Sequence, residues 1–463
     1  MRRLALLALL AGCTTVGPDY ERPPVELPSA FPNEIRSEGE IPLDWWKLYR
    51  DPLLDELVAS ARSRNADIRL AAARVQEAEA LAREAGAARY PEVLAGASAG
   101  RSRVSTRTIP APQASVPLER SQYQISASTS FELDFWGRLS RTAEAAQANL
   151  LASRYSQDVV ALSLAGATAQ AYFAARSLEA QLAVLAKTIE ARRESLEIAR
   201  ARADAGLASA LDVYQAEGAL ADALAQRREA ERQRSLTERA LAQLTGRLDL
   251  KLTSDKLGGD LFALPLPPTP PPGLPSTLLA RRPDIRSAEA TMIAANALIG
   301  VARAALFPTI SLTASLGAQS AELSELLTSG AGVWSLGLAA LAPIFDGGRR
   351  QARVEQAQAR RAQALAGYQR SIETAFREVA DALASVEQSA GAEADLDARL
   401  QAARNALELS NERYRAGYSP FLEVLDAQRT ANDAELAFVR NRQARLAFSV
   451  DLMRSLGGGW GAD

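Results

Sequence analysis

The sequence predicts a mainly α-helical chain with a small β part, built from one unit used twice. Three observations carry this. Arg349 to Ala416 contains no proline and only two glycines, Gly367 and Gly391. As one helix it would be roughly 100 Å long at about 1.5 Å per residue, a rod that no compact domain needs. Gly417 follows where a left-handed residue ends a helix, and a second rod, Arg138 to Ala205, ends in the same way at Gly206. Between the helical stretches lie segments of strict apolar–polar alternation, the signature of strands.

Composition narrows the function classes. The chain has 463 residues, with 53 Lys plus Arg against 55 Asp plus Glu, a net charge of -2. A nucleic-acid partner would call for a basic balance or stripe. Histidine, the commonest general base and metal ligand, is absent. The single cysteine, Cys13, excludes internal disulfides and thiolate metal clusters. No catalytic constellation, phosphate-binding loop, cofactor motif or metal set stands out, so no enzyme is expected.

Taken in order, Arg2 and Arg3 precede the apolar run Leu4 to Leu10, and Leu10-Ala-Gly-Cys13 follows. This resembles a bacterial lipoprotein signal, residues 1–12, with cleavage before Cys13 and acylation of that cysteine. The alternative is an ordinary secretory signal that happens to contain cysteine. Thr14 stands where many inner-membrane lipoproteins carry aspartate, which by resemblance points to the outer membrane. No later stretch reaches the roughly 18 to 20 apolar residues of a spanning helix. Residues 13–44 are proline-rich and read as an extended tether. Asp44-Trp-Trp46 opens the folded part, and Leu53 to Ala88 reads as one helix, broken at Tyr90-Pro91.

Val93 to Gly100 is a weak strand. Tyr123, Ile125, Ala127, Thr129 and Phe131 alternate with polar residues as a clearer one, and 101–120 is the loop between them. A long helix begins near Gly137-Arg138. Within it Val160, Leu164, Ala167, Ala171, Ala174, Leu178, Leu182, Leu185 and Ile189 recur at spacings of mostly four and three, a coiled-coil seam. The return arm runs from Ser209 to Thr245. Leu264 to Pro275 holds seven prolines and reads as a linker.

Beyond the linker the pattern returns. Arg64-Asn-Ala-Asp-Ile-Arg69 is echoed by Arg281-Arg-Pro-Asp-Ile-Arg286, and Tyr90-Pro91 by Phe307-Pro308, both 217 residues on. Gly137-Arg138 is echoed by Gly348-Arg349, and Gly206 by Gly417, both 211 residues on. The unit is helix, strand, strand, long helix, return helix, occupying 45–263 and 276–458 around the linker 264–275. The second copy's strands, Ile310 to Leu316 and Val333 to Leu341, alternate more sharply. Ser419 is the expected N-cap of the second return helix, with Pro420 at its first position.

The four strands carry almost no charge, are about ten residues long and have one apolar face, which suits an outer-membrane barrel wall. A soluble sandwich or an edge hairpin is the rival reading of the strands alone. Four strands cannot close a barrel. Two chains would give eight, a barrel filled by its own side chains, and three would give twelve with room for a lumen. Larger rings stay open. Closure leaves no free edge, as hydrocarbon requires. The expectation is a trimeric, 12-stranded outer-membrane β-barrel continued by a long periplasmic α-helical barrel.

The chain resembles the TolC-like outer-membrane efflux proteins, and within them the OprM/NodT-type lipoproteins. The resemblance spans essentially the whole mature chain. It rests on Cys13 with Gly17-Pro-Asp-Tyr20, Asp44-Trp-Trp46 with Asp51-Pro52, and Arg281-Arg-Pro-Asp-Ile285. It continues through Phe307-Pro308-Thr-Ile310, Pro343-Ile-Phe-Asp-Gly-Gly-Arg349, Arg413-Tyr414 with Gly417, and Leu425-Asp-Ala-Gln-Arg429. It implies a homotrimeric, passive exit duct for drugs or small toxic compounds. The duct docks with a periplasmic adaptor and an inner-membrane pump, and is gated at its periplasmic helical tip. A periplasmic coiled-coil adaptor lipoprotein would need a single hairpin, against the two read here. An outlet for secreted protein remains within the channel class.

The site residues therefore concern gating, docking and anchoring. Leu422, Asp426 and Arg429 share a helix face by their spacing, and Glu423 and Asp426 are like charges at i, i+3. Around a threefold axis each acidic position becomes a ring, which favours cations in a narrow pore. Alternatively, Asp426 and Arg429 form an ordinary surface pair. The resemblance favours a gate of Leu422, Glu423, Asp426 and Arg429. It also implies that Asp212 and Tyr414 tie the two hairpins together, although Ser209-x-x-Asp212 has capping-box spacing. Ser419 stands where the family has an arginine, which places more of the gate on Leu422. Gly206 and Gly417 form turns, and the resemblance implies adaptor docking there.

Overall fold

The computed structural model describes residues 15–25, 27, 28, 31, 42–107, 117–257, 260–268 and 278–458. Cys13, about half of the tether and most of the proline-rich linker lie outside them. The principal elements are α1 (Pro52–Arg64), α2 (Ala66–Ala87), β1 (Glu92–Arg103), β2 (Glu119–Glu132), α3 (Arg138–Asp204) and α4 (Ala210–Leu244). The second copy supplies α5 (Pro283–Ala304), β3 (Thr309–Ser320), β4 (Gly332–Leu341), α6 (Arg349–Arg415) and α7 (Phe421–Ser455). α3 and α6 are each 67 residues long, and their return arms α4 and α7 are each 35.

The chain divides into two compact units. The first comprises 1–24, 75–153 and 288–368, and the second 25–74, 154–287 and 369–463. The first unit holds the sheet, ordered β1-β2-β3-β4 and antiparallel at every step. β1 and β2 run one to four residues beyond the limits set by alternation at each end, because the ladder continues after the pattern fades. Register fixes the faces. Ala127 opposes Leu316, and Leu316 opposes Trp334. Side chains alternate along a strand. One face therefore carries Val93, Ile125, Leu312, Leu316, Trp334, Leu336 and Leu338. The other carries Ser126, Ser128, Thr313, Ser315, Gly317 and Ser335, with Ser315 and Ser335 hydroxyls 2.7 Å apart. A Cβ on Gly317 would stand 2.2 Å from the carbonyl oxygen of Ile125, so glycine is required at this strand contact.

At the strand–helix junctions Asp134 accepts from the backbone N–H groups of Leu139 (2.9 Å) and Ser140 (2.7 Å), capping α3. Asp346 does the same for α6 through Gly348 and Arg350. Trp136 stacks on Phe307 at 4.6 Å and donates its indole N–H to the Pro308 carbonyl at 2.7 Å. The Gly17-Pro-Asp-Tyr20 motif lies along α5. Tyr20 donates to Glu289 at 2.8 Å, Arg22 grips the same carboxylate through two 2.6 Å bonds, and Asp19 meets Arg141 at 2.6 Å.

The core of the second unit forms around Trp45, Trp46, Tyr49, Leu54, Leu57, Tyr172, Phe173 and Leu241. Asp51 is buried at its centre. It caps α1 through Leu53 (2.9 Å), accepts from the Tyr172 hydroxyl at 2.5 Å and pairs with Arg176 at 3.1 Å. That network accounts for the Asp51-Pro52 motif. Arg282 plays a similar part in the second copy, pairing with Asp284 (2.7 Å) and Glu378 (2.8 Å) and donating to the Ser455 carbonyl at 2.9 Å.

Two sequence expectations are corrected in this unit. Leu53 to Ala88 is not one helix. Asn65 takes an extended conformation, caps α2 through Asp67 (2.6 Å) and donates to the Leu244 carbonyl at 3.0 Å. The end of α4 thus docks into the break. The seam of α3 is also rotated from the expected one. Leu164, Leu185 and Ile189 are buried, but Ala167, Ala171, Ala174, Leu178 and Leu182 are only half-buried. Ala165, Ala169, Tyr172 and Phe173 occupy the inner face instead.

Candidate functional site

The two hairpin turns lie in the second unit and share one construction. Gly206 (φ 72°) and Gly417 (φ 80°) occupy the left-handed region. Leu207 N–H returns to the Arg202 carbonyl at 2.8 Å, and Tyr418 N–H to the Arg413 carbonyl at 2.8 Å. These double turns satisfy carbonyls that helix ends leave open. Ser209 caps α4 by accepting from Leu211 N–H at 3.1 Å. The second tip departs from expectation. α7 starts at Phe421, Pro420 holds the cap position without a side-chain bond, and the enclosed Ser419 hydroxyl has no partner among the described residues. Pro420 carries no side-chain oxygen, so the start of α7 is held by Phe421 packing instead.

Phe421 and Val424 are buried with Leu196, Ala199, Ala216 and Tyr414. This packing turns the next residues outward. Leu422 is 59% exposed, and Asp426 and Arg429 are exposed on the same side. The two charges form an ion pair at 3.1 Å within α7. Glu423 sits in the first turn, where the helix dipole favours an acid, and pairs with Arg413 across the turn at 3.3 Å. Within one chain, then, neither carboxylate is unpaired.

Asp212 and Tyr414 are near enough to interact electrostatically, but the enclosed Tyr414 hydroxyl has no hydrogen-bond partner among the described residues. Burial pushes this phenol upward, opposed by Arg202 and reinforced by Asp212. The stronger tie between hairpins is Arg202, which sequence reading missed. Its guanidinium lies 4.6 Å from the Tyr414 ring centroid and donates to the Tyr414 carbonyl at 2.9 Å. Below it Gln428 donates to Ser195 at 2.8 Å, Thr188 to Asn432 at 3.0 Å, and Arg415 pairs with Glu194 at 3.0 Å. The legible signal was the run Phe421, Val424, Gln428, Asn432, an apolar seam that turns polar at its third and fourth positions. Leu207, Leu211, Tyr214 and Tyr418 are exposed around the turns. Among the described residues no group of three acidic, histidine or cysteine side chains could hold a metal ion.

A duplicated strand pair with apolar and hydroxyl faces, together with two long helical hairpins, defines an outer-membrane channel class. The comparisons agree. The outer membrane efflux protein family matches residues 57–247 and 274–458. The toluene efflux pump outer membrane protein TtgF of Pseudomonas putida is 36% identical over 476 residues, covering 99% of this chain and 96% of that protein. The outer membrane protein OprJ of Pseudomonas aeruginosa is 36% identical over 469 residues, covering 98% and 95%. The solved outer-membrane channel OprN superposes with a TM-score of 0.88 at 32% identity, covering 96% of this chain and 100% of that one. The chain belongs to the outer membrane efflux protein family and is an outer-membrane channel component of an efflux system.

Proposed function

We propose that three copies close the sheet into a twelve-stranded barrel, with six hairpins forming a helical tube gated at the tips. The open sheet carries this reading. Among the described residues β1 and β4 each pair on one side only, and an unpaired strand edge is untenable in hydrocarbon. Three copies place the leucine and tryptophan face toward lipid and the serine and threonine face toward a lumen. The duct is passive and not an enzyme. It works with a periplasmic adaptor, which docks at the turns of Gly206 and Gly417, and with an inner-membrane pump. Cys13 supplies the lipid anchor. The relatives' names, a toluene pump among them, support drugs or small toxic compounds as cargo.

The gate is assigned to Leu422, Glu423, Asp426 and Arg429, with Asp212 and Tyr414 at the hairpin junction. Support comes from the outward face of Leu422, Asp426 and Arg429, set by the buried Phe421 and Val424. The test is reconstitution in a planar bilayer after the trimer has been confirmed by heat-modifiable migration. Leu422→Ala, Glu423→Ala and Asp426→Ala combined raise conductance and lower cation preference. A trimer whose conductance and selectivity both stay at the wild-type values removes the gate from these residues.

A further inference from the structure

The register of β1 puts two arginines on the wrong face for a membrane strand. Val93, Ala95, Ala97 and Ala99 alternate along the apolar face, and Arg101 and Arg103 continue it. Their partner across the ladder, Glu119, shares that face, pairing with Arg101 at 2.7 Å and Arg103 at 3.8 Å. Both arginines remain open to solvent, with 73% and 71% of their side chains exposed. Arg120, one residue on, faces the hydroxyl side instead. The turn between β3 and β4 at this end carries Glu322 and Glu325, so positive charge on the apolar face is confined to the β1–β2 end.

Position explains how the strand tolerates them. Arg101 and Arg103 stand eight and ten residues beyond Val93, about 26 and 33 Å along the strand at about 3.3 Å per residue. A tilt of about 40° reduces these to about 20 and 25 Å above Val93, the top of an apolar band about 25 Å tall. An arginine at the midplane of a lipid-facing strand is costly, and one at the rim is nearly free. The rim in question is the end of the strands away from α2 and the start of α3, which the proposed channel exposes to the outer leaflet. Two guanidiniums against one carboxylate leave one positive charge unmatched there. Guanidinium is the side chain suited to two-pronged binding of phosphate.

We infer that Arg101 and Arg103 form a binding site for the phosphate of a phosphorylated glycolipid in the outer leaflet, with Glu119 offsetting one of their two charges. Three copies put three such sites around the barrel. The inference rests on the barrel reading above.

The test uses full-length trimer in phosphatidylcholine nanodiscs containing either bis-phosphorylated lipid A or the same lipid A stripped of phosphate. Lipid retained per trimer is measured by mass spectrometry after re-purification. Wild type retains the phosphorylated form about tenfold over the stripped form, as one charge-assisted pair allows. Arg101→Ala with Arg103→Ala abolishes that preference, Arg101→Lys with Arg103→Lys keeps part of it, and Glu119→Gln does not lower it. Equal retention of the two lipids by wild type, or an undiminished preference in the alanine variant, overturns the inference. Planar-bilayer conductance of the same preparations separates the two readings. A conducting trimer without phosphate preference defeats only the lipid site. A protein that forms no conducting trimer defeats the barrel.

Discussion

Arg202 offers the sharpest test of how the hairpins are held together. Its guanidinium covers the Tyr414 ring at 4.6 Å and donates to the Tyr414 carbonyl at 2.9 Å. A half-desolvated cation–π contact is worth about 1 kcal/mol. A charged donor to a carbonyl contributes about 1.5 kcal/mol, reduced here because Arg202 is only partly buried. Together Arg202→Ala costs the junction about 2 kcal/mol per protomer, roughly a 30-fold shift per junction in any equilibrium that separates the hairpins. Tyr414→Phe keeps both the ring and the carbonyl. It removes only a hydroxyl that has no hydrogen-bond partner among the described residues, so it changes little. The assay is single-channel open probability in a planar bilayer, with trimer integrity checked by heat-modifiable migration. Open probability rises strongly in Arg202→Ala and stays near wild type in Tyr414→Phe. The reverse order, with the phenylalanine variant opening the channel and the alanine variant silent, refutes the assignment of the tie to Arg202.

Three further outcomes follow from the same structure. Asp51→Ala strands Arg176 and the Tyr172 hydroxyl in the core, a loss of about 3 to 5 kcal/mol. It appears as a lower melting temperature by circular dichroism or as failure to accumulate. Gly317→Val drives a side chain into the Ile125 carbonyl. It abolishes assembly in the outer membrane, read by fractionation, while Gly330→Ala in the following turn, which meets nothing within 4 Å, leaves assembly intact. Gln428→Ala removes the bond to Ser195 at a cost of about 1 kcal/mol. Its effect on open probability is in the same direction as Arg202→Ala but smaller.

Much of the architecture was legible because its signals are local. The two rods α3 and α6 are long runs of good helix formers whose signal lies in their own residues, and Gly206 and Gly417 end them through their own positive φ. Alternation gave the faces of the sheet, since period two survives any register that keeps the pairing. Two of the misses share one cause, a partner distant in sequence. Asn65 breaks α1 from α2 in part because Leu244 offers it a carbonyl. The buried face of α3 follows Tyr172 and Phe173 because Asp51 and Tyr49 meet it there. The order of residues near Ser419 suggested a cap, but its hydroxyl reaches no N–H of α7. At the tip, Leu422 and Asp426 were visible from spacing. Arg202 was not, since its role depends on the other copy of the repeat.

The duplication sets the two tips side by side. An offset of 211 residues aligns Arg202 with Arg413, Asp212 with Glu423 and Leu211 with Leu422. In the second copy the arginine and the acid pair within their own hairpin, Arg413 to Glu423 at 3.3 Å. In the first copy Arg202 leaves the corresponding position and crosses to Tyr414, a residue whose own counterpart is Ala203. The Tyr414 ring, which its counterpart Ala203 lacks, gives Arg202 a contact between hairpins. Tyr414→Ala removes the ring but keeps the carbonyl, which loosens the hold on Arg202 and lets it turn toward Asp212. Asp212→Asn then matters more in the Tyr414→Ala background than in wild type. A double-mutant cycle on trimer melting temperature measures that coupling, and strict additivity would defeat the argument.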